Sequence, residues 1–463
     1  MFSNSSLKKL KFNFLKLLDI LVIKSERTKN IVKHVGWSMF YKVGSIICNF
    51  LIVPITINYL DTENYGVWLT ISSFIGWFSL FDIGLGNGLR NKFAEAKTRG
   101  NYQDAQAFVS TAYFSISCIS LALLLVFSAF NFFIDWGSVF NASQEVAQNL
   151  PILMVVVFGF FCIQLSTKLI VSIYLADQNH SMQNKVQFYT LLLNLLVVWL
   201  LTQTNEGSLL IFGTFYSAVP VIILVIMNII AFNNGFYEFR PKWSLFDKKY
   251  LSSIMGDGVY FFVIQIAAMV LFTTDNFIIS HLFSPDEVVP YNVSLKYFSL
   301  VITGYTLLVN PFWTAFTEAF TKKDFTWIRT SVKNIQKIWI IIPIGLVFMI
   351  LCADWFYDIW VGDKVTIPFK LNLSMAFFVL LTTFNMVYSF FLNGVGKFKI
   401  QLYTASASIL LNIPMSIYFA SYLGFGVSGV ILATCFSVGL STIFKVIQYT
   451  KIINHRAIGI WNK

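Results

Sequence analysis

The sequence has little charge. Charged residues make up 12% of its 463 positions, whereas a soluble protein of ordinary composition has about 25%. Apolar stretches such as 191–201 and 338–351 do not alternate in polarity, which excludes the strands of a transmembrane β-barrel. Because hydrocarbon cannot satisfy an exposed backbone amide, these stretches are expected to be helices. The composition therefore predicts an all-α polytopic membrane protein.

The motifs of soluble catalysis are missing as well. Residues 394–397 lack the first glycine spacing of the G-x-x-x-x-G-K-[ST] phosphate loop, and Phe398 follows them. The five cysteines form no C-x-x-C pair. The histidines are too scattered for a zinc site or a Ser-His-Asp triad: His34, His180, His281 and His455. We therefore expect a protein that is not an enzyme and that uses neither a cofactor nor a metal.

Basic residues, in contrast, are clearly ordered along the chain. About twelve apolar spans divide the sequence, and Lys and Arg fall almost wholly in alternate gaps between them, whereas acidic residues show no such bias. Lys364 and Lys370 are the basic residues that we assign to the opposite loops. By the positive-inside rule, both termini are predicted to be cytoplasmic. The same rule explains the net charge of +11 without a role for nucleic acid.

The spans form two groups of six. They lie at roughly 35–60, 65–88, 108–133, 150–176, 183–204, 208–232, 254–283, 288–316, 333–353, 370–392, 400–423 and 426–449. The predicted domains are a cytoplasmic segment, an N-terminal six-helix bundle, a cytoplasmic linker, a C-terminal six-helix bundle and a cytoplasmic tail: 1–34, 35–232, 233–253, 254–449 and 450–463. Leucines and lysines interleave in the first segment, which is either an amphipathic helix on the membrane surface or a disordered basic tail.

Short matches between the two groups indicate a duplication. Phe93-Ala94-Glu95-Ala96 recurs as Phe316-Thr317-Glu318-Ala319, shifted by 223 positions, and Asn101-Tyr102 aligns with Asp324-Phe325 at the same shift. Six spans per half would relate the halves by an axis along the membrane normal, and transporters built in this way bind their substrates between the repeats.

Ionisable residues within spans are costly and are therefore the first candidates for a functional site. Lys42 and Asp82 lie seven and six residues from the inner ends of the first two spans, a depth of roughly 10 Å, so their side chains could pair. Lys168 lies within the fourth span. Lys42 and Lys168 either line a cavity, serve in a structural ion pair, or extend to the cytoplasmic headgroups.

Asp275 and Lys296 form a second candidate pair, because they flank the outer turn 284–287 at similar depth. Both lie far from the cytoplasmic surface, so we favour a water-filled cavity over a structural ion pair. Lysines in a cavity would attract an anion such as a phosphate, and an aspartate there could exchange a proton or cation during transport. Trp77 joins the cavity candidates because it lies near mid-span, whereas most tryptophans lie near predicted span ends.

The most distinctive local feature is a glycine-rich stretch, Gly84-Leu85-Gly86-Asn87-Gly88-Leu89-Arg90-Asn91-Lys92. The motifs around it are Val35-Gly36-Trp37, Pro54, Asn58-Tyr59-Leu60-Asp61, Tyr65-Gly66-Val67-Trp68, Ala94-Glu95-Ala96 and Gly100-Asn101-Tyr102. With these motifs the chain resembles the polysaccharide (O-antigen or capsule repeat-unit) flippases of the multidrug/oligosaccharidyl-lipid/polysaccharide (MOP) exporter superfamily. The N-terminal third of the chain matches best.

The resemblance implies two six-helix bundles that form a V around a central cavity and open alternately to each side of the bacterial inner membrane. It implies that the substrate is an undecaprenyl-diphosphate-linked oligosaccharide, flipped among membrane lipids. A polysaccharide polymerase and a chain-length regulator are the further partners that it suggests. Related flippases have a cationic cavity, and the positions here that could supply one are Lys42, Arg90, Lys168 and Lys296.

Two other functions stay open. A cation-coupled multidrug exporter of the same superfamily would depend on intramembrane carboxylates, and Asp82 and Asp275 are the two available. An O-antigen polymerase or ligase would also be a basic polytopic protein, but such enzymes usually carry a large periplasmic loop, and no predicted loop of this chain is long enough. We therefore predict a flippase.

Overall fold

The protein is described here by a computed structural model covering residues 26–79, 85–177, 179, 181–203, 207–255, 273–397 and 399–462, with side chains from residue 40 onward. The regular elements of these residues are helices, as the composition predicts. The N-terminal half contains α1 (Glu26–Trp77), α2 (Leu85–Thr98), α3 (Tyr102–Asn131), α4 (Trp136–Phe140), α5 (Gln144–Ala147), α6 (Leu150–Thr167), α7 (Leu169–Ala176), α8 (Ser181–Leu201) and α9 (Leu209–Asn233).

The linker helix α10 (Lys248–Met255) leads to the C-terminal half. That half contains α11 (273–282), α12 (Val288–Val309), α13 (Phe312–Thr321), α14 (Phe325–Trp339), α15 (Ile341–Leu351), α16 (Ala353–Trp360), α17 (Phe369–Gly394), α18 (Lys399–Ile417) and α19 (Val427–Ile453).

The described helices reproduce most of the predicted spans. When adjoining helices such as α6 and α7 are taken together, ten stretches are long and apolar enough to cross a membrane, and one of these, within α1, contains the first two predicted spans. Asp61 separates those two spans, because its φ of 67° interrupts the helical backbone. The second predicted span was expected to reach residue 88, but α1 ends at Trp77 and a separate helix begins at Leu85. The seventh predicted span lies mostly outside the described residues.

The described residues form three clusters of buried apolar side chains. One lies in the N-terminal half around Phe93 and one in the C-terminal half around Phe316, whereas the third contains residues of both halves, including Phe158 and Tyr291. In the N-terminal half, α6 packs against α3 and α9, and α1 packs along α8. Phe127 and Phe158 stack within the shared cluster with their ring centroids 4.0 Å apart. In the C-terminal half, α17 packs against α12 and α19, and α18 packs against α19.

The repeated sequence motifs adopt matching local structures. Gly100 and Lys323 both have left-handed backbones, with φ of 74° and 58°. The next residue in each half caps the following helix, since Asn101 accepts from the backbone N–H of Asp104 and Asp324 accepts from that of Trp327. The motifs also share a fully buried phenylalanine and a surface ion pair: Phe93 and Glu95–Arg99 in one half, Phe316 and Glu318–Lys322 in the other. The domain boundaries themselves stay a prediction.

Candidate substrate cavity and intramembrane charges

The two halves meet closely at one end of the molecule. A Cβ atom added at Gly66 on α1 would lie 1.9 Å from the carbonyl oxygen of Pro285, so the backbones of the two halves touch there. Asn141 also donates a side-chain hydrogen bond of 3.0 Å to the carbonyl oxygen of Phe283. We call this end, formed by residues 61–66, 140–143 and 283–287, the closed end. The opposite end, which carries α2, α10 and α13, is called the basic end.

A polar seam continues from the closed end into the membrane. The amide of Asn276 on α11 donates to the hydroxyl of Ser73 on α1 at 2.9 Å. Asn292 on α12 donates to the side-chain oxygen of Asn276 at 2.7 Å, which holds that amide in place. Trp77 lies one turn further along α1 and contacts Phe277 of the other half, with ring centroids 5.8 Å apart. The indole N–H of Trp77 is buried and has no hydrogen-bond partner among the described residues.

A polar cavity of about 190 Å³ opens in the N-terminal half. The cavity is lined by Lys168, Gln164, Ser172, Ser79 and Gly86. A glycine of the glycine-rich stretch 84–92 therefore lies beside a lysine of the fourth predicted span. Lys168 is exposed, and its side chain enters none of the ion pairs found in the described part of the chain. The cavity therefore offers a free cation and several hydrogen-bonding groups within the membrane.

The helix that carries Lys168 is irregular at this residue. The fourth predicted span consists of α6 and α7, which meet at Lys168, and Lys168 keeps helical dihedral angles (φ −66°, ψ −21°). Asn228 on α9 donates a hydrogen bond of 2.8 Å to the carbonyl oxygen of Thr167 at this junction. The hydroxyl of Thr167 also bonds back to Ile163 at 2.9 Å, a contact that often bends helices.

The remaining N-terminal candidates occupy less open positions. Lys42 is half-buried on α1, and Arg90 is half-buried on α2. The predicted partner of Lys42, Asp82, lies outside the described residues. In the described part of the chain, the ion pairs join Lys92–Glu95, Lys97–Asp177, Arg99–Glu95 and Lys322–Glu318, and neither Lys42 nor Arg90 takes part.

Asp275 and Lys296 do not form the predicted pair in this structure. Asp275 is 4% exposed, and the hydroxyl of Tyr291 donates to one of its carboxylate oxygens. The other oxygen has no hydrogen-bond partner among the described residues. Tyr291 and Lys296 are five residues apart on α12, which places their side chains roughly 140° apart around the helix. Equal depth in the membrane was therefore insufficient to predict the contact.

One buried lysine was missed from the sequence. Lys445 on α19 is 8% exposed and donates to the side-chain oxygens of Asn385, at 3.0 Å, and Ser389, at 2.9 Å, on α17. Asn385 in turn donates to Thr442 at 2.7 Å. The available signal was its position inside the last predicted span, four residues before that span ends at 449.

Comparisons with known proteins agree with this architecture. The MatE family model matches residues 261–418. The chain is 24% identical to a "Putative O-antigen export protein" of Yersinia pseudotuberculosis, over 80% of this chain and 84% of that protein. It is 23% identical to a "Putative O-antigen transporter" of Salmonella typhi, over 86% of this chain and 90% of that protein.

Solved structures show the same fold. An inward-facing multidrug resistance MATE family transporter of the MOP superfamily has a TM-score of 0.74 at 14% identity, with 92% of this chain and 98% of that chain covered. An outward-facing structure of a MATE family transporter has a TM-score of 0.61 at 15% identity, with 91% and 96% covered.

The fold defines the class: the chain is a multi-pass helical membrane protein with the fold of MATE transporters. Its sequence relatives are described as a putative O-antigen export protein and a putative O-antigen transporter. The predicted all-α polytopic fold and the resemblance are thereby confirmed, whereas the cytoplasmic position of the termini stays a prediction.

Proposed function

We propose that the protein is a flippase that moves an undecaprenyl-diphosphate-linked oligosaccharide, an O-antigen or capsule repeat unit, across the inner membrane by alternating access. The observation that carries this proposal is the exposed Lys168 in a polar cavity within the membrane. A cation held in this way attracts a diphosphate. Similarity to relatives described as O-antigen transporters supports the same substrate class.

The chemistry of the cavity suits both parts of such a headgroup. The lysine ammonium can donate to phosphate oxygens, while Gln164, Ser79 and Ser172 can exchange hydrogen bonds with sugar hydroxyls. Lys42, Arg90 and Lys296, all half-buried, would add positive charge elsewhere along the path. The polyprenyl tail needs no cavity, because it is as apolar as the lipid around the helices.

We also propose that the closed end faces the periplasm and that both termini are cytoplasmic. The positive-inside rule supports this orientation, since the basic loops lie at the other end. The contacts of Gly66 with Pro285 and of Asn141 with Phe283 then seal the outer side of an inward-open state. Transport requires these contacts to separate while the basic end closes. A polymerase and a chain-length regulator would act on the lipid-linked unit after it reaches the outer leaflet.

Asp275 is the proposed coupling residue. Its carboxylate is buried in the C-terminal half and has one oxygen without a described hydrogen-bond partner. A buried carboxylate of this kind is costly unless a proton or a cation neutralises it. Binding and release of that proton or cation would favour one conformation over the other.

The test uses a strain that lacks this gene and has no redundant flippase. Loss of the gene should cause lipid-linked repeat units to accumulate on the cytoplasmic leaflet, and the wild-type gene should restore surface glycan. Lys168→Gln should slow translocation by about ten-fold or more, because a hydrogen bond to a charged group contributes about 1.5–3 kcal/mol. Lys364→Gln, with the same charge change at an exposed opposite-end position, is the matched control.

Polymerised glycan at the surface of the deletion strain would refute the flippase proposal. The multidrug exporter remains the second candidate, because the similar solved structures are MATE transporters and Asp275 could couple either activity. In that case the deletion would leave surface glycan unchanged and raise drug sensitivity.

A further inference from the structure

The linker between the halves is fastened to the side of α3. Gln106 donates a side-chain hydrogen bond of 2.9 Å to the carbonyl oxygen of Arg240. The hydroxyl of Ser110 accepts from the backbone N–H of Lys242 at 3.0 Å. Further along, the hydroxyl of Tyr250 donates to the carboxylate of Asp104 at 2.6 Å. Residues 240–250 are therefore held against the N-terminal half along α3.

This fastening creates a groove at the basic end. A cavity of about 130 Å³ lies between α3 and the linker, with Ser110, Tyr113, Phe114 and Ser117 on one side and Pro241, Lys242 and Trp243 on the other. We call it the linker groove. The Trp243 ring packs edge-on against Phe114, with centroids 4.7 Å apart, yet Trp243 is still 70% exposed.

The groove contains a lysine whose charge is not paired. Lys242 is exposed, and no ion pair among the described residues involves its ammonium group. The nearest acids have other hydrogen-bond partners, since Asp104 accepts from Tyr250 and Asn101, and Asp247 accepts from the backbone N–H of Lys249. Arg240 itself is occupied by the carbonyl oxygen of Phe232.

We propose that the linker groove binds the headgroup of an anionic phospholipid from the leaflet at the basic end. Lys242 would contact the phosphate, and Trp243 would lie at the level of the glycerol and ester groups, where amphipathic rings are favoured. The hydroxyls of Ser110 and Ser117 lie in the same groove but already donate to Gln106 and Ser166, so the ammonium group of Lys242 is the proposed phosphate contact. This site is independent of what the protein transports, and it anchors the linker and the N-terminal half to one leaflet.

The experiment measures lipid retention by the purified full-length protein with native mass spectrometry. Phosphatidylglycerol and phosphatidylcholine with identical acyl chains are added separately. The wild type should retain phosphatidylglycerol preferentially. Lys242→Gln should weaken that retention about five-fold, which corresponds to ~1 kcal/mol for one basic side chain near an anionic headgroup. Lys364→Gln, which removes an exposed lysine elsewhere, should match the wild type.

A second variant tests the contribution of the Trp243 ring separately from that of the Lys242 charge. Trp243→Ala should weaken retention of both lipids, because the ring contacts parts that they share. Equal retention of the two lipids by the wild type, or wild-type retention by Lys242→Gln, would overturn the proposal. Displacement of bound phosphatidylglycerol by millimolar glycerol phosphate would also overturn it, since the site would then bind a soluble anion rather than a lipid.

Discussion

Asn228 is the residue on which the position of Lys168 depends most. Its amide bonds to the carbonyl oxygen of Thr167, and its side-chain oxygen accepts a hydrogen bond of 2.6 Å from the hydroxyl of Tyr113. One polar side chain thus connects three helices at the junction between α6 and α7, next to Lys168.

Replacing Asn228 tests this connection. Asn228→Leu should lower thermal stability by ~0.6–2 kcal/mol, the range for hydrogen bonds between membrane helices, and should reduce transport by displacing Lys168. Thermal unfolding in detergent and a glycan-export assay measure the two effects. Tyr113→Phe removes one of the hydrogen bonds and leaves the bond from Asn228 to Thr167 in place, so it should affect stability alone. Normal transport by Asn228→Leu would show that the bond to Thr167 does not position Lys168.

The hydrogen bonds of Lys445 predict which of two substitutions lowers the stability more. Asn385→Leu removes an acceptor from a buried ammonium and should cost ~1.5–3 kcal/mol of stability, because a hydrogen bond to a charged group is lost. Lys445→Met removes the buried charge itself and should cost less. Thermal unfolding of the two variants measures the difference. If Lys445→Met lost more stability than Asn385→Leu, Asn385 would not be the main group that stabilises the ammonium of Lys445.

At the scale of elements, the seam between α1 and the C-terminal half combines close backbone packing with hydrogen bonds. Gly66 permits the approach to Pro285, and Ser73 and Asn276 extend the contact toward Trp77. Each of these contacts joins residues that lie on different halves. They can therefore stabilise the closed end only when the halves have come together.

The two glycines of this part of α1 provide a matched test. A Cβ at Gly66 would collide with the Pro285 backbone, whereas a Cβ at Gly76 would meet nothing within 4 Å. Gly66→Ala should disfavour the closed end by ~1–3 kcal/mol, a shift of roughly 5- to 150-fold, and Gly76→Ala should not. Spin labels at Glu145 and Asp363, on the two halves, would report the distance across this end. An unchanged distance distribution in Gly66→Ala would show that the contact does not control closure.

At the scale of the whole molecule, two similar halves surround different polar interiors. The N-terminal half contains the cavity with the exposed Lys168, and the C-terminal half buries Asp275 and Lys445. This asymmetry divides the proposed tasks, with substrate charge bound in one half and coupling in the other. The repeated caps at Asn101 and Asp324 show that the two halves nevertheless keep a common local design.

Coupling is tested on the whole transporter. In proteoliposomes, Asp275→Asn should make lipid-linked substrate translocation insensitive to an imposed proton or sodium gradient. The amide carries no negative charge, so it cannot bind a proton or a sodium ion as the carboxylate would. Asp354→Asn, at an exposed position on α16, should keep the wild-type response. A full gradient response in Asp275→Asn would assign coupling to another residue.

Sequence reasoning reached the architecture but only part of the site. The spans were predictable because each is a local run of apolar residues, and Lys168 was found because a lysine within such a run is conspicuous. The sequence predicted a pair between Asp275 and Lys296 that does not form, because the rotation of α12 brings Tyr291 to the carboxylate instead. Lys445 was missed because it lies about one helical turn from the predicted end of the last span. At that distance, the sequence does not distinguish a buried lysine from one at the membrane surface.

By itself, the sequence determined that this is a helical membrane protein with about twelve spans, because a bilayer satisfies backbone amides only within helices. The distribution of lysine and arginine along the chain also determined the predicted orientation. Only the tertiary structure decided which end is closed, which lysine opens into a cavity and which carboxylate oxygen has no hydrogen-bond partner among the described residues. Those properties depend on contacts such as Asn228 with Thr167, 61 residues apart, and Gly66 with Pro285, on different halves.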